Sequence, residues 1–367
     1  MTPQDWIAVC RPLLPPAPAV AAYIARADAA RFYSNRGPLV VALEQRLSRA
    51  FGQPGDAVRL TSSGTSAIEA AILASAGPAT PDRPLALMPS YTFAATALAA
   101  ERCGYRVRLL DADPVSWGLD PAAARNIPGA GLVIPVGPYG RMPDLRAWEV
   151  FQADSGIAVV ADAAAATEAL MDDPDHVSAS VPVALSFHAT KSFSTAEGGA
   201  VVWADAAGLG RVAQVSNFGF HYSRECRLAG LNAKLSEYHA AVGLAMLDGF
   251  AARRADWARA IAAWQAVAPG LPGRLHSAPD LASVYVIWEA PDAAAMDAAE
   301  TALTAARIET RRWYMDGLHR QRHFAGCAAG PLPVTETLGA RLLGLPMAHD
   351  LAPDDVARCA EVLQKAL

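Results

Sequence analysis

Ser186-Phe187-His188-Ala189-Thr190-Lys191, with Glu197-Gly198-Gly199-Ala200-Val201-Val202 close behind, sets the reading of this chain. An apolar run over 183–187 stops just before a single lysine, and the next apolar run leaves a diglycine a few residues on. That is strand, loop, strand, with a lysine just past a strand end. Upstream, Val159-Val160-Ala161-Asp162 closes another apolar run on an acid. Val58-Arg59-Leu60-Thr61 reads as a strand and 67–76 as an alanine-rich helix closed by Gly77-Pro78. Leu85-Ala86-Leu87-Met88 is a second strand stopped by Pro89, followed by a helix over 93–102. Further strands are expected at 106–110, 132–135, 157–161, 183–187 and 200–203. Strands separated by helices of this length imply an α/β chain with a doubly wound, mostly parallel sheet covered on both faces. In such sheets ligands gather at the carboxyl ends of strands. Ser63, Pro89, Asp162 and Ser186 all fall there.

The 367 residues divide, on this reading, into a large domain over 1–250 with its N-terminal segment and a smaller C-terminal α/β domain over 251–367. Residues 13–19 are proline-rich and read as a lead-in loop, and 240–267 is helical. Strands at 283–288 and 308–311 flank a helix over 292–305. With 53% hydrophobic and 18% charged residues, the chain can build a sizeable core. A net charge of −5 supplies no basic field, so neither nucleic acid nor an anionic membrane is an expected partner. No stretch reaches membrane-spanning length. The five cysteines are scattered and odd in number, which suits free thiols in a reducing cytoplasm. The opening Met1-Thr2-Pro3-Gln4-Asp5-Trp6 lacks the basic start of a signal peptide.

A pyridoxal 5'-phosphate site needs an amine for the aldehyde, an anion for the pyridine nitrogen, a phosphate cradle and a stacking face. Lys191 is the amine candidate; a lone lysine in a loop is otherwise a solvated one. Asp162 would keep the ring nitrogen protonated, or else cap a helix. Ser62-Ser63-Gly64-Thr65-Ser66 precedes the 67–76 helix, and amides at a helix start favour a phosphate, with Gly64 admitting close approach. Capping by Ser or Thr is the plainer role and is compatible with the first. Ser186 offers a further hydroxyl to the phosphate, and Phe93 a ring face, although a lone aromatic is usually core. The four elements, in this order and at these strand ends, describe one site.

These residues resemble the DegT/DnrJ/StrS family of sugar-nucleotide aminotransferases, which have the fold type I pyridoxal-phosphate architecture. The resemblance runs nearly end to end. It takes in Tyr33-Ser34-Asn35-Arg36-Gly37-Pro38 with Glu44, Ser63-Gly64-Thr65-Ser66-Ala67, Pro89-Ser90-Tyr91-Thr92-Phe93 and Pro135-Val136-Gly137-Pro138-Tyr139-Gly140. It continues through Asp162, the Lys191 segment, Asn217-Phe218-Gly219-Phe220, Gly230-Leu231-Asn232-Ala233-Lys234-Leu235-Ser236-Glu237 and Leu345-Pro346. The resemblance implies that Lys191 holds the cofactor aldehyde and Asp162 the pyridinium. Gly64, Thr65 and Ser186 would bind the phosphate, with Phe93 on the ring. Asn232 would reach the phosphate from a neighbouring subunit, making a homodimer with shared sites. Asn35, Lys234 and Tyr314 would touch the sugar nucleotide, with Arg224, Arg227, Arg311 and Arg312 as further cation candidates or solvated surface.

The implied cycle draws an amine from a donor, glutamate by resemblance, carries it on the cofactor as pyridoxamine phosphate, and delivers it to a nucleotide-linked keto sugar. The wording of the motifs is most similar to members acting on dTDP-4-keto-6-deoxyhexoses, with amination at C4 and C3 as the alternative. Such amino sugars feed surface polysaccharides or glycosylated natural products. One position departs from the pattern: members often carry Gln three residues after the Asp, where this chain has Ala165. That departure keeps open a binding or regulatory protein on the same fold. His188, near the lysine, is expected to orient the loop.

Overall fold

The computed structural model describes residues 6–367; the N-terminal expectation for Met1 to Asp5 lies outside the described residues. Eleven strands are described: β1 (Val58–Thr61), β2 (Leu85–Pro89), β3 (Arg106–Leu110), β4 (Ala130–Val133), β5 (Ala158–Val159), β6 (Ala161–Asp162), β7 (Val183–Ser186), β8 (Gly199–Val202), β9 (Arg274–His276), β10 (Ile287–Glu289) and β11 (Leu342–Gly344). β3-β2-β4-β5 run parallel, and β6 lies parallel to β7. β5 and β6 are one strand interrupted at Val160, whose amide bonds to Val133, while Asp162 bridges in parallel to Val136. A single sheet therefore crosses the molecule. β8 runs antiparallel between β7 and β1, an inversion within a mostly parallel sheet.

Apolar side chains alternate between the two faces of this sheet, so two cores form. One contains Leu43, Leu47, Val133, Trp148, Leu185 and Phe193. The other contains Ile68, Ile72, Met88, Leu132, Ala184 and Val201 beneath the Gly64–Ser75 and Ala94–Arg102 helices. The second unit packs β9, β10 and β11 against the Ala293–Ala305 and Pro353–Ala366 helices around Trp264, Trp288 and Leu303.

Several elements differ from the sequence expectation. The proline-rich 13–19 stretch turns into a helix at Ala17, because Pro16 in extended geometry occupies the cap and proline is tolerated at a helix start. The expected 283–288 strand shrinks to β10, since Ser283–Tyr285 is held instead by contacts to the large unit. The 308–311 segment makes only single bridges, Ile308 to Ile7 and Arg311 to Gly344. Ile7 and Cys10 pair with Ile308 and Met347, so the start of the described chain lies against C-terminal segments. Among the described residues no helix is long and apolar enough to cross a membrane.

Buried acids tie the early motifs to the sheet. Glu237 accepts from the amides of Leu39 and Val40, the open first turn of the Pro38–Ala50 helix. Glu44 accepts from the amide of Leu60 in β1 and from Arg36. A Cβ at Gly37 would stand 2.3 Å from the Phe32 ring and 2.8 Å from the Glu237 carboxyl, which is why that turn uses glycine.

Candidate active site

Asp162 ends β6 in the middle of the sheet and is only 4% exposed. Its Oδ2 accepts the Thr96 hydroxyl at 2.6 Å and its Oδ1 the Ala164 amide at 3.1 Å. No described lysine, arginine or histidine forms an ion pair with it. Burial pushes its carboxyl above the usual range, while the Thr96 and Ala164 hydrogen bonds and the Lys191 charge pull it back. A buried carboxylate with two neutral donors is short of a cation. The site is built to receive one.

Lys191 follows β7 in a turn closed by its own amide bonding to the His188 carbonyl. Its Nζ donates to the Tyr285 hydroxyl at 3.3 Å and acts electrostatically on Asp162. Lysine and acid thus share one electrostatic neighbourhood, although 29 positions separate them in the chain.

The candidate phosphate cradle lies at the Gly64–Ser75 helix start. Ser63 caps it: its hydroxyl accepts the Ser66 amide, and the Ser66 hydroxyl answers the Ser63 amide. A capping box of this kind leaves the Gly64 and Thr65 amides without intrahelical partners, pointing outward with the positive end of the helix. A Cβ at Gly64 would lie 2.6 Å from the Ser186 Cβ and 3.0 Å from its hydroxyl, so glycine there brings Ser186 against the amides. Gly199 is needed for the same reason, since its Cβ would stand 2.4 Å from the Ser63 carbonyl oxygen. The diglycine after the lysine is the close-packing half of the cradle.

Phe93 caps the Ala94–Arg102 helix and is 64% exposed. Thr96, three residues on, holds Asp162, so the segment that carries Phe93 leads into the helix turn that contacts the acid. Tyr91, Tyr139, Tyr285 and Tyr314 pack against one another in an aromatic wall. The Tyr91 and Tyr139 hydroxyls share a 2.8 Å hydrogen bond, and Tyr139 and Tyr314 stack 4.9 Å apart. Burial, with neighbouring phenols, raises Tyr139 and Tyr314 well above the ordinary phenol range, so both remain neutral donors. Asp162 adds to the rise at Tyr314, which places that phenol in the acid's field.

Asn35, Asn232 and Lys234 lie elsewhere. Asn35 and Lys234 line a separate cavity of about 480 Å³ with Asn217 and Tyr222. Lys234 donates to the Asn232 side chain at 2.7 Å and sits 4.3 Å from the Phe218 ring. Among the cation candidates, Arg227 pairs with Glu225, Arg311 with Glu309, and Arg312 with Asp297 and Glu300. Arg224 lines a further cavity with Asn35 and Lys234. His188 is exposed and bonds within its own turn to Thr190. A cleft of about 1090 Å³ between Arg141 and Arg341 lies apart from Lys191, and these two arginines are paired to Asp280 and Glu289.

Sequence reasoning missed Thr96, Tyr285 and Glu168. Ser63 and Gly199 were within the quoted motifs, and the Ser-x-x-Ser capping pattern was a usable signal for the first. Nothing local marks Tyr285 or Glu168, which arrive by tertiary packing.

The family model described as the DegT/DnrJ/EryC1/StrS aminotransferase family matches residues 18–364. A Mycobacterium tuberculosis protein is 32% identical, covering 92% of this chain and 84% of that one. The UDP-N-acetyl-3-dehydro-alpha-D-glucosamine 3-aminotransferase of Acidithiobacillus ferrooxidans is 30% identical over 77% of each. The crystal structure of DesI with its TDP-sugar product superposes with a TM-score of 0.87 at 31% identity, covering 99% of this chain and 93% of that one. The family's sugar transaminases are pyridoxal-phosphate enzymes, and the relatives include both 3-amino and 4-amino sugar transaminases.

Proposed function

The chain belongs to the DegT/DnrJ/EryC1/StrS aminotransferase family, and from that premise we propose that it aminates a dTDP-linked 4-keto-6-deoxyhexose at C4 with glutamate as the donor. The observation that carries a transaminase reading is the buried Asp162 carboxylate, which lacks a cationic partner and lies in the field of Lys191. The residues present fit pyridoxal phosphate. Asp162 would hold the ring nitrogen, the Gly64 and Thr65 amides with the Ser186 hydroxyl would hold the phosphate, and Phe93 would cover the ring. Bound there, the cofactor supplies an electron sink for the carbon that loses its proton.

The chain's own residues do the rest. Asp162, ionised by its donors and by the incoming positive charge, keeps a proton on the ring nitrogen. Lys191 Nζ takes the proton from the α-carbon of the donor and later returns one to the sugar carbon that accepts the amine. Because the donor must leave its amine behind before the sugar can take it, donor and sugar bind in turn, giving ping-pong kinetics. The tyrosine wall excludes water, and Tyr314 faces the same pocket as a neutral hydroxyl donor for the sugar.

Asn35, Asn232 and Lys234 belong, in this reading, to the neighbouring site of a homodimer. The exposed 221–230 arm and the open Phe93 ring support it, since both are surfaces a second copy would cover. The dTDP assignment is supported by the TDP-sugar in the DesI structure. Amination at C3 is the second reading, favoured by the 3-aminotransferases among the relatives. Incubating the loaded enzyme with glutamate and a panel of dTDP- and UDP-linked 3-keto and 4-keto sugars, with the product's amine located by NMR, tests the proposal. A 4-amino dTDP sugar is expected; a UDP sugar or a 3-amino product overturns the assignment. Cofactor binding without response to any amino donor would instead indicate a regulatory protein on this fold.

A further inference from the structure

We propose that Tyr285 is the positioning residue of Lys191, its hydroxyl holding the amine through a hydrogen bond. The inference rests on the reading of Lys191 as the reacting amine.

Four features of the packing converge on that hydroxyl. Lys191 Nζ donates to it at 3.3 Å across 94 positions of sequence. The ring has little freedom: it is 8% exposed and wedged edge-on between Tyr139 and Trp313, each 5.5 Å away. The segment bearing it is clamped to the large unit. Glu168, on the Thr167–Asp172 helix, accepts both the Ser283 amide and the Ser283 hydroxyl at 2.8 Å, and Ala282 donates its amide to the Tyr139 carbonyl. Finally, the approach depends on missing side chains. A Cβ at Gly140 would stand 2.4 Å from the Ala282 Cβ and 2.9 Å from the Ala165 carbonyl oxygen. Ala165 itself is buried in the cluster with Ala282, Val284 and Tyr285.

A flexible lysine side chain loses about 2 kcal/mol of rotamer entropy when held in one place. A fixed acceptor supplies part of that restraint in advance, so Nζ meets the carbon it must deprotonate without a search. Removing the acceptor should therefore slow the proton transfers and leave donor binding alone. It should also leave the amine more mobile and more open to a reagent, because nothing then holds it.

The test uses Tyr285→Phe, which keeps the ring, and two readouts. In the loaded enzyme, kcat should fall by roughly tenfold while KM for the amino donor changes less than about twofold, the size of one hydrogen bond to a charged group. In protein freed of cofactor, an amine-directed acylating reagent should label Lys191 about threefold faster than in the parent at the same pH, because the amine is no longer held by the Tyr285 hydroxyl. Lys234 and Lys365, the only other lysines, serve as internal standards in the peptide map. Ser283→Ala, which loosens the clamp but retains the hydroxyl, should move both readouts the same way by a smaller factor. Unchanged labelling of Lys191 in Tyr285→Phe overturns the proposal even if kcat falls, because packing alone would then explain the loss. Turnover surviving in Lys191→Ala would instead overturn the functional reading, a separate outcome.

Discussion

Thr96 donates its hydroxyl to Asp162 at 2.6 Å, so the helix that follows β2 governs the charge at the end of β6. The bond opposes burial, which raises the carboxyl's pKa. Thr96→Val keeps the shape and removes the donor, so the carboxyl should rise further and ionise only at higher pH. Cofactor affinity should fall about tenfold, and the acid limb of its pH dependence should shift upward. Titrating cofactor into the apoprotein between pH 5 and 8 measures both; an unmoved acid limb would count against Asp162 as the partner of the ring.

Asp162→Asn separates stability from activity. The folded carboxyl's pKa is raised, so the folded state holds its proton more tightly than the unfolded state does. Stability of the cofactor-free protein should accordingly decline as pH rises from the unfolded carboxylate value towards the folded one. Asparagine removes that slope. The variant's apoprotein should be as stable as the parent's or more so at neutral pH, while transaminase activity falls by about 100-fold or more with loss of the charged partner. Thermal unfolding against pH and steady-state rates decide it.

Gly64→Ala forces a methyl to within 2.6 Å of the Ser186 Cβ. Relief requires Ser186 or the helix start to move, at about 1–3 kcal/mol. Affinity for pyridoxal phosphate should drop roughly tenfold or more, whereas that for pyridoxal without its phosphate should change little. Equal losses for both ligands would place the phosphate somewhere else.

Shared sites predict complementation. Lys191→Ala and Asn232→Ala homodimers should each be nearly inactive, since each lacks one half of both sites. Mixing them after reversible dissociation should restore about a quarter of parental activity, through heterodimers carrying one intact site. Additive, unrestored rates would mean that each chain completes its own site.

Much of this site was legible in one dimension. The lysine after β7, the acid closing β6 and the Ser-Gly-Thr at a helix start are each carried by neighbouring residues: an apolar run, a stop, a capping group. Local rules read such features because their physical causes lie within a few residues. The same rules did not reveal that β8 runs antiparallel, because an apolar run carries no direction. They also lengthened β10, because Ser283 looks like strand until Glu168 is seen to claim it.

By itself, then, the order of residues determined a doubly wound α/β chain and marked the lysine after β7, the acid closing β6 and the capped turn before the Gly64–Ser75 helix, all set by short-range backbone chemistry. Tertiary structure alone decided that Thr96 charges Asp162, that Tyr285 meets Lys191, and that Asn35 and Lys234 stand apart from both. The reason is physical: a hydrogen bond depends on distances of about 3 Å. Packing between remote segments sets those distances, and they leave no periodic trace along the chain.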